Sequence, residues 1–79
     1  MSQLTVAQTL DTSGKCCPMP IVETHIAMRA LVVGEVLEIV ATDPGTRNDI
    51  PAWCARTGNT LLSTSDSEHE MRYYVRKGS

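Results

Sequence analysis

Apolar positions along the chain switch between a period of two and a period near 3.6, and the alternation predicts strand, helix, strand, helix, strand, strand. Leu4 to Leu10 predicts the first strand, with Thr5, Val6 and Thr9 favouring extended backbone. Asp11-Thr12-Ser13-Gly14 has the composition of a loop. Pro20 to Val32 predicts a helix: Val22, Ile26, Ala30 and Val33 recur at helical spacing, Glu23 and Arg29 face water, and Gly34 ends it. Val36 to Thr42 predicts the second strand, with Leu37, Ile39 and Ala41 on one face and Glu38 on the other. Asp43-Pro44-Gly45 is a turn. A shorter helix is expected from Asp49 or Ile50 to Arg56, capped by Asp49, carrying Pro51 in its first turn and stopped at Gly58. Leu61 to Ser65 and Met71 to Lys77 complete the strands; in the last, Met71, Tyr73 and Val75 alternate with Arg72, Tyr74 and Arg76.

The fold expected from this order is α/β: a two-layer βαβαββ sandwich, with two helices on one face of a mixed four-stranded sheet. The first strand–helix–strand unit is expected to be a right-handed crossover between parallel strands. Thr60, Ser63 and Arg72 suggest a solvated second face and hence a monomer. Residues 1–79 carry no internal repeat or linker and are expected to be one domain.

Size narrows the chemistry. A 79-residue chain buries only about 60% of the surface its unfolded form exposes, so its core is thin. Its chemistry belongs at the surface, with a partner. Seven basic side chains against nine acidic give a net charge of −2, which argues against nucleic acid as a direct ligand. Arg72, Arg76 and Lys77 read as a solvated strand end. The most apolar stretch, Ile26 to Val33, is broken by Arg29 and falls well short of the ~20 residues of a membrane span. Met1 to Thr5 lacks the regions of a signal peptide, and a cytoplasmic location is expected. In that reducing setting the three cysteines, Cys16, Cys17 and Cys54, are thiols, metal ligands or catalytic groups rather than a disulfide framework.

Cys17 stands out, because Pro18 and Pro20 fix the start of a helix beside it. Helix N-termini favour anions, and the thiolate is the nucleophilic form of cysteine. The two prolines remove two N–H donors, which weakens that effect, and in return give a rigid loop that presents the sulfur outward. A persulfide is more acidic than a thiol, and a partner's cysteine can attack its outer sulfur, as in thiol–disulfide exchange. That chemistry needs an exposed cysteine and docking partners, without a pocket, cofactor or metal.

Several motifs in order carry a resemblance: Leu10-Asp11-x-x-Gly14-x-x-Cys17-Pro18-x-Pro20, Gly34-Glu35-x-Leu37, Ala41-Thr42-Asp43-Pro44-Gly45, Asp49-Ile50-Pro51-Ala52-Trp53-Cys54 and Tyr74-x-Arg76-Lys77. Over nearly its whole length the chain resembles the TusA/SirA family of small sulfur carriers. The resemblance implies a two-layer α/β sandwich. It implies that Cys17 accepts sulfur from a cysteine desulfurase or rhodanese-type donor and passes it to a cysteine of an acceptor protein. Family members serve thiolation of the wobble uridine of transfer RNA, cytoplasmic sulfur oxidation or sulfur trafficking for molybdenum cofactor. Asp11 and Gly14 match the loop that shapes the site, with roles in loop hydrogen bonding and a tight turn.

Cys16 falls outside the family pattern and reads as incidental. Cys54 reads as a small buried hydrophobe beside Trp53; its alternative role as a resolving thiol requires its Cα to lie within about 7 Å of that of Cys17, and a longer separation is expected. His25 is roughly 12 Å along the helix from Cys17, too far for proton transfer. His69 lies among charged residues, and without C-x-x-C spacing no zinc site is expected. Arg29, Arg76 and Lys77 are surface charges able to steer an acidic partner. Two other classes compete: an RNA- or protein-binding module, by fold analogy with the C-terminal domain of translation initiation factor three, and a thiol redox regulator pairing Cys17 with Cys16 or Cys54.

Overall fold

The computed structural model describes residues 5–16 and 18–78. Four strands and two helices follow the order β1 (Val6–Thr12), α1 (Met19–Arg29), β2 (Val36–Ala41), α2 (Thr46–Thr57), β3 (Thr60–Asp66) and β4 (Met71–Arg76). The sheet order is β1-β2-β4-β3. β1 and β2 are parallel, and β4 runs antiparallel to both of its neighbours, so the sheet is mixed as expected. One core joins sheet and helices: Leu37, Ile39 and Ala41 of β2 and Met71, Tyr73 and Val75 of β4 pack with Ile50, Trp53 and Cys54 of α2. The period-two pattern of β2 and β4 is thus the inward face of the sheet.

The sequence reading of α1 is corrected in face as well as in length. The helix ends at Arg29 with Ala30 as its cap, and Gly34 serves the following turn with φ +95°. The face on the core carries Pro20, Thr24, Ala27 and Met28, continued by Leu31. The expected apolar stripe points away: Val22, Ile26 and Val33 are 43%, 61% and 63% exposed, and Ala30 is exposed as well. Two apolar stripes compete on this helix, and the buried one includes a threonine, which masks it in a hydrophobicity count.

α2 also starts earlier than expected, at Thr46. The Asp43-Pro44-Gly45 turn winds straight into the helix: the backbone N–H and hydroxyl of Thr46 both donate to the Asp43 carbonyl, at 3.0 and 2.7 Å. Pro51 therefore lies inside the helix rather than in its first turn. It removes one backbone bond, the one a residue there would make to the Arg47 carbonyl. Asp49 is not the cap; it sits within the first turn, and its N–H donates to the Gly45 carbonyl at 3.0 Å. Gly58 closes the helix in a left-handed conformation, φ 77°.

Strand ends move by one or two residues. β1 runs through Asp11 and Thr12, which the composition assigns to a loop, and Leu4 lies outside the described residues. On the helix-free face of the sheet, the Glu38 carboxylate accepts from Tyr74 (2.7 Å), Thr9 (2.9 Å) and Arg72 (3.1 Å). These bonds tie β1, β2 and β4 together. Tyr74 foremost, then Thr9 and Arg72, hold the Glu38 carboxyl below its ordinary pKa.

Candidate functional site

Cys17 lies outside the described residues, as do its separations from Cys54 and His25. The residues on either side, Cys16 and Pro18, are exposed. They belong to the loop joining the end of β1 to the start of α1, at the C-terminal end of the parallel β1–β2 pair.

That loop is tied down at several points. The Asp11 carboxylate accepts the Ser13 N–H at 2.9 Å, and bonding to Ser13 lowers the Asp11 pKa. The Lys15 N–H returns to the Thr12 carbonyl at 3.1 Å, closing a turn in which Gly14 takes φ +80°. That conformation is routine for glycine and strained for side chains with a Cβ. The Gly14 N–H donates to the Thr42 hydroxyl at 2.8 Å, fastening the loop to the end of β2. Beneath it, fully buried Thr12 donates its hydroxyl to the Val40 carbonyl at 2.7 Å. On the far side, the Met19 N–H donates to the Cys16 carbonyl at 2.9 Å, bracketing residues 17 and 18 in sequence.

The start of α1 is poor in donors. Pro18 is the cap and has no side-chain cap bond, Pro20 has no N–H, and that of Met19 is committed to Cys16. No acidic residue occupies the first turn. In the loop before the helix, the Lys15 ammonium donates to Glu23 on the second turn at 2.6 Å, with 45% of its side chain exposed. Lys15, Glu23 and Thr42 escaped the sequence reading. Lys15 and Glu23 are eight positions apart across a helix start, and Thr42 stands in the sequence only as a predicted strand end and as part of a motif in the resemblance.

The other cysteines separate by environment. Cys16 is exposed. Cys54 is 3% exposed, among the core side chains, and burial pushes its thiol up to about 11. A thiol so placed keeps its proton at neutral pH and does not present its sulfur to a partner. Pro18 is exposed and Pro20 is buried against the core, so the second proline anchors the helix start. His25 and Arg29 are exposed on α1, and His69 lies in the exposed β3–β4 connection. Among the described residues no group of three His, Cys, Asp or Glu side chains is arranged to hold a metal ion. No described helix is long and apolar enough to cross a membrane.

Comparison with known proteins follows the same outline. A family model described as Sulfurtransferase TusA matches residues 8–77. The sulfur carrier protein TusA of Pseudomonas entomophila is 40% identical over 77 residues, covering 98% of this chain and 96% of that protein. YrkF of Bacillus subtilis is longer: it is 48% identical over 69 residues, which are 87% of this chain and 37% of YrkF. The crystal structure of the SirA-like protein from Desulfitobacterium hafniense superposes with a TM-score of 0.73 at 19% identity, over 91% of this chain and 99% of that one, and shares the fold. The chain belongs to the TusA family, and its role is that of a sulfur carrier.

Proposed function

We propose that Cys17 is the carrier group and holds sulfur as a persulfide, with residues 1–79 acting as one sulfur-carrier domain. The Cys17 thiolate attacks the outer sulfur of a donor persulfide. The donor's S–S bond breaks, its thiolate leaves, and a new S–S bond forms on Cys17. In delivery, an acceptor cysteine attacks the outer sulfur of Cys17 and the Cys17 thiolate leaves. One sulfur moves in each step, with no external oxidant or reductant. A cysteine desulfurase or a rhodanese supplies the sulfur, and a protein with a reactive cysteine receives it. The downstream use is transfer RNA wobble-uridine thiolation or cytoplasmic sulfur oxidation, in the cytoplasm, by a monomer.

The observation that carries this reading is the loop around Cys17: exposed on both sides of that residue and pinned by the Gly14–Thr42 and Cys16–Met19 bonds. Flanks fixed in this way lower the ordering cost of each encounter with a partner. Asp11, Gly14, Pro18 and Pro20 shape it. Cys54, buried and protonated, is not needed.

Incubation with a cysteine desulfurase and cysteine should add the mass of one sulfur. Cys17→Ser should abolish the gain and Cys54→Ser should retain it. A Cys17→Ser protein that still loads at the wild-type level refutes the assignment.

A further inference from the structure

The outward face of α1 is apolar where a solvated helix would be polar. Met19, Val22 and Ile26 stand at i, i+3 and i+7, and are 43%, 43% and 61% exposed. Residues at that spacing share one face, and this face begins one residue beyond Pro18. Beside it, between α1 and α2, runs an open hollow of about 390 Å³ lined by Ile21, Val22, Ile26, Trp53 and Arg56 among others. It shares His25, Trp53 and Thr57 with a second hollow of about 220 Å³, edged by Arg29 and Lys77.

Charge distinguishes this surface. The chain as a whole is acidic, at −2, yet neither hollow is lined by a carboxylate among the described residues. Lys15 is matched with Glu23, Arg47 with Asp66, and Arg72 with Glu38 and Glu70, while Arg76 at the end of β4 makes no ion pair among the described residues. Arg29 and Arg56 make no ion pair among the described residues, and the Lys77 ammonium is bonded to the Leu31 carbonyl at 2.7 Å. An apolar strip with unmatched cations along its α2 flank fits an apolar strip with carboxylates along one flank. A second copy of this chain does not fit, because a two-fold contact would set the same cations against each other. RNA is poorly served, since Trp53 and Tyr73 are 3% and 2% exposed and offer no stacking face, and Tyr74 is engaged with Glu38 on the other side of the sheet.

We propose that the α1–α2 face docks a helical segment of a partner protein that presents apolar side chains at i, i+3 and i+7 with carboxylates on the flank that meets Arg29 and Arg56. This rests on the reading that Cys17 exchanges sulfur with proteins. It specifies which proteins: those with an acidic amphipathic helix beside the reacting cysteine, so that docking on Val22 and Ile26 brings that cysteine to the start of α1.

The probe is a synthetic amphipathic helical peptide with leucines at those positions and glutamates on one flank, beside a twin with lysines for glutamates. Amide NMR shifts of the full chain report the binding surface. The glutamate peptide should move Val22, Ile26, Arg29 and Arg56, and bind less tightly as ionic strength rises. The Arg29→Glu/Arg56→Glu variant should weaken it by about tenfold. Ile26→Asp should weaken it as well, with thermal melting showing that both variants fold. Equal binding of the lysine twin, shifts confined to the helix-free sheet face, tighter binding of a single-stranded RNA at the same residues, or self-association through this face overturns the proposal. Loading of the wild-type chain by inorganic polysulfide, read by mass, requires no docking. Its failure refutes the carrier reading and leaves the peptide result standing.

Discussion

Thr24 gives the sharpest test of how α1 is seated. It lies on the core face of the helix, is fully buried, and its hydroxyl has no hydrogen-bond partner among the described residues. A buried hydroxyl without a partner costs about 1–3 kcal/mol. Thr24→Val exchanges that hydroxyl for a methyl of similar size, and the two residues have near-equal helix propensity. The variant should gain about 1 kcal/mol, which for a domain of this size raises the melting midpoint by roughly 4–8 °C. Thr24→Ser keeps the hydroxyl and loses a methyl, and should lose about 1 kcal/mol through the small cavity left behind. The expected order is therefore Val above Thr above Ser, by thermal melting and urea titration monitored at Trp53. A valine variant equal to or below wild type refutes the assignment, because it means the hydroxyl is satisfied. A serine variant equal to wild type refutes the packing.

The hydroxyl of Thr46 donates to the Asp43 carbonyl at 2.7 Å, so the proton in its 2.9 Å contact with Tyr73 belongs to the tyrosine. Tyr73→Phe should cost about 1 kcal/mol in urea unfolding, and no loss would refute that proton assignment. At Gly14 a Cβ would meet open space, so only the left-handed φ of +80° resists substitution; Gly14→Ala should destabilise by about 1–2 kcal/mol and Gly14→Asn by less, whereas equal losses would point to a clash instead. Glu38 has a folded pKa below its ordinary 4.5, so its contribution is complete above that pH and is lost as pH falls through the lowered folded value. Glu38→Gln should thus flatten the loss of stability on acidification below 4.5, and superimposable acid limbs would refute this. With its thiol raised to about 11 and its side chain buried, Cys54 should resist alkylation in the native protein at mildly alkaline pH while Cys16 reacts, and equal labelling would contradict the core placement.

The strands were legible because β2 and β4 alternate cleanly, and their inward residues are the centre of the core. α1 was legible as a helix but not in orientation. Ile26 and Val22 outweigh Thr24 and Ala27 in any apolar count, and only the seating of the helix on the sheet reveals that the weaker stripe is buried. Pro51 misled in the opposite direction: proline favours first turns, yet here a turn already stabilised by Thr46 extends the helix ahead of it. Near the site, the local residues were readable from motif spacing. The contact between Gly14 and Thr42 was not, since it joins positions 28 apart through the parallel pairing of β1 and β2.

The donor-poor opening of α1 has a consequence for the relay. Positions 18–20 carry two prolines and one committed N–H, so on the proposed relay a charged sulfur beside them gains less from the helix than at a proline-free terminus. A deep energy well would make loading fast and unloading slow, because stabilisation given to the bound sulfur must be surrendered when it leaves. A shallower one brings the two handovers closer to balance. On the proposed relay, direction then comes from outside, from whichever partner consumes sulfur irreversibly.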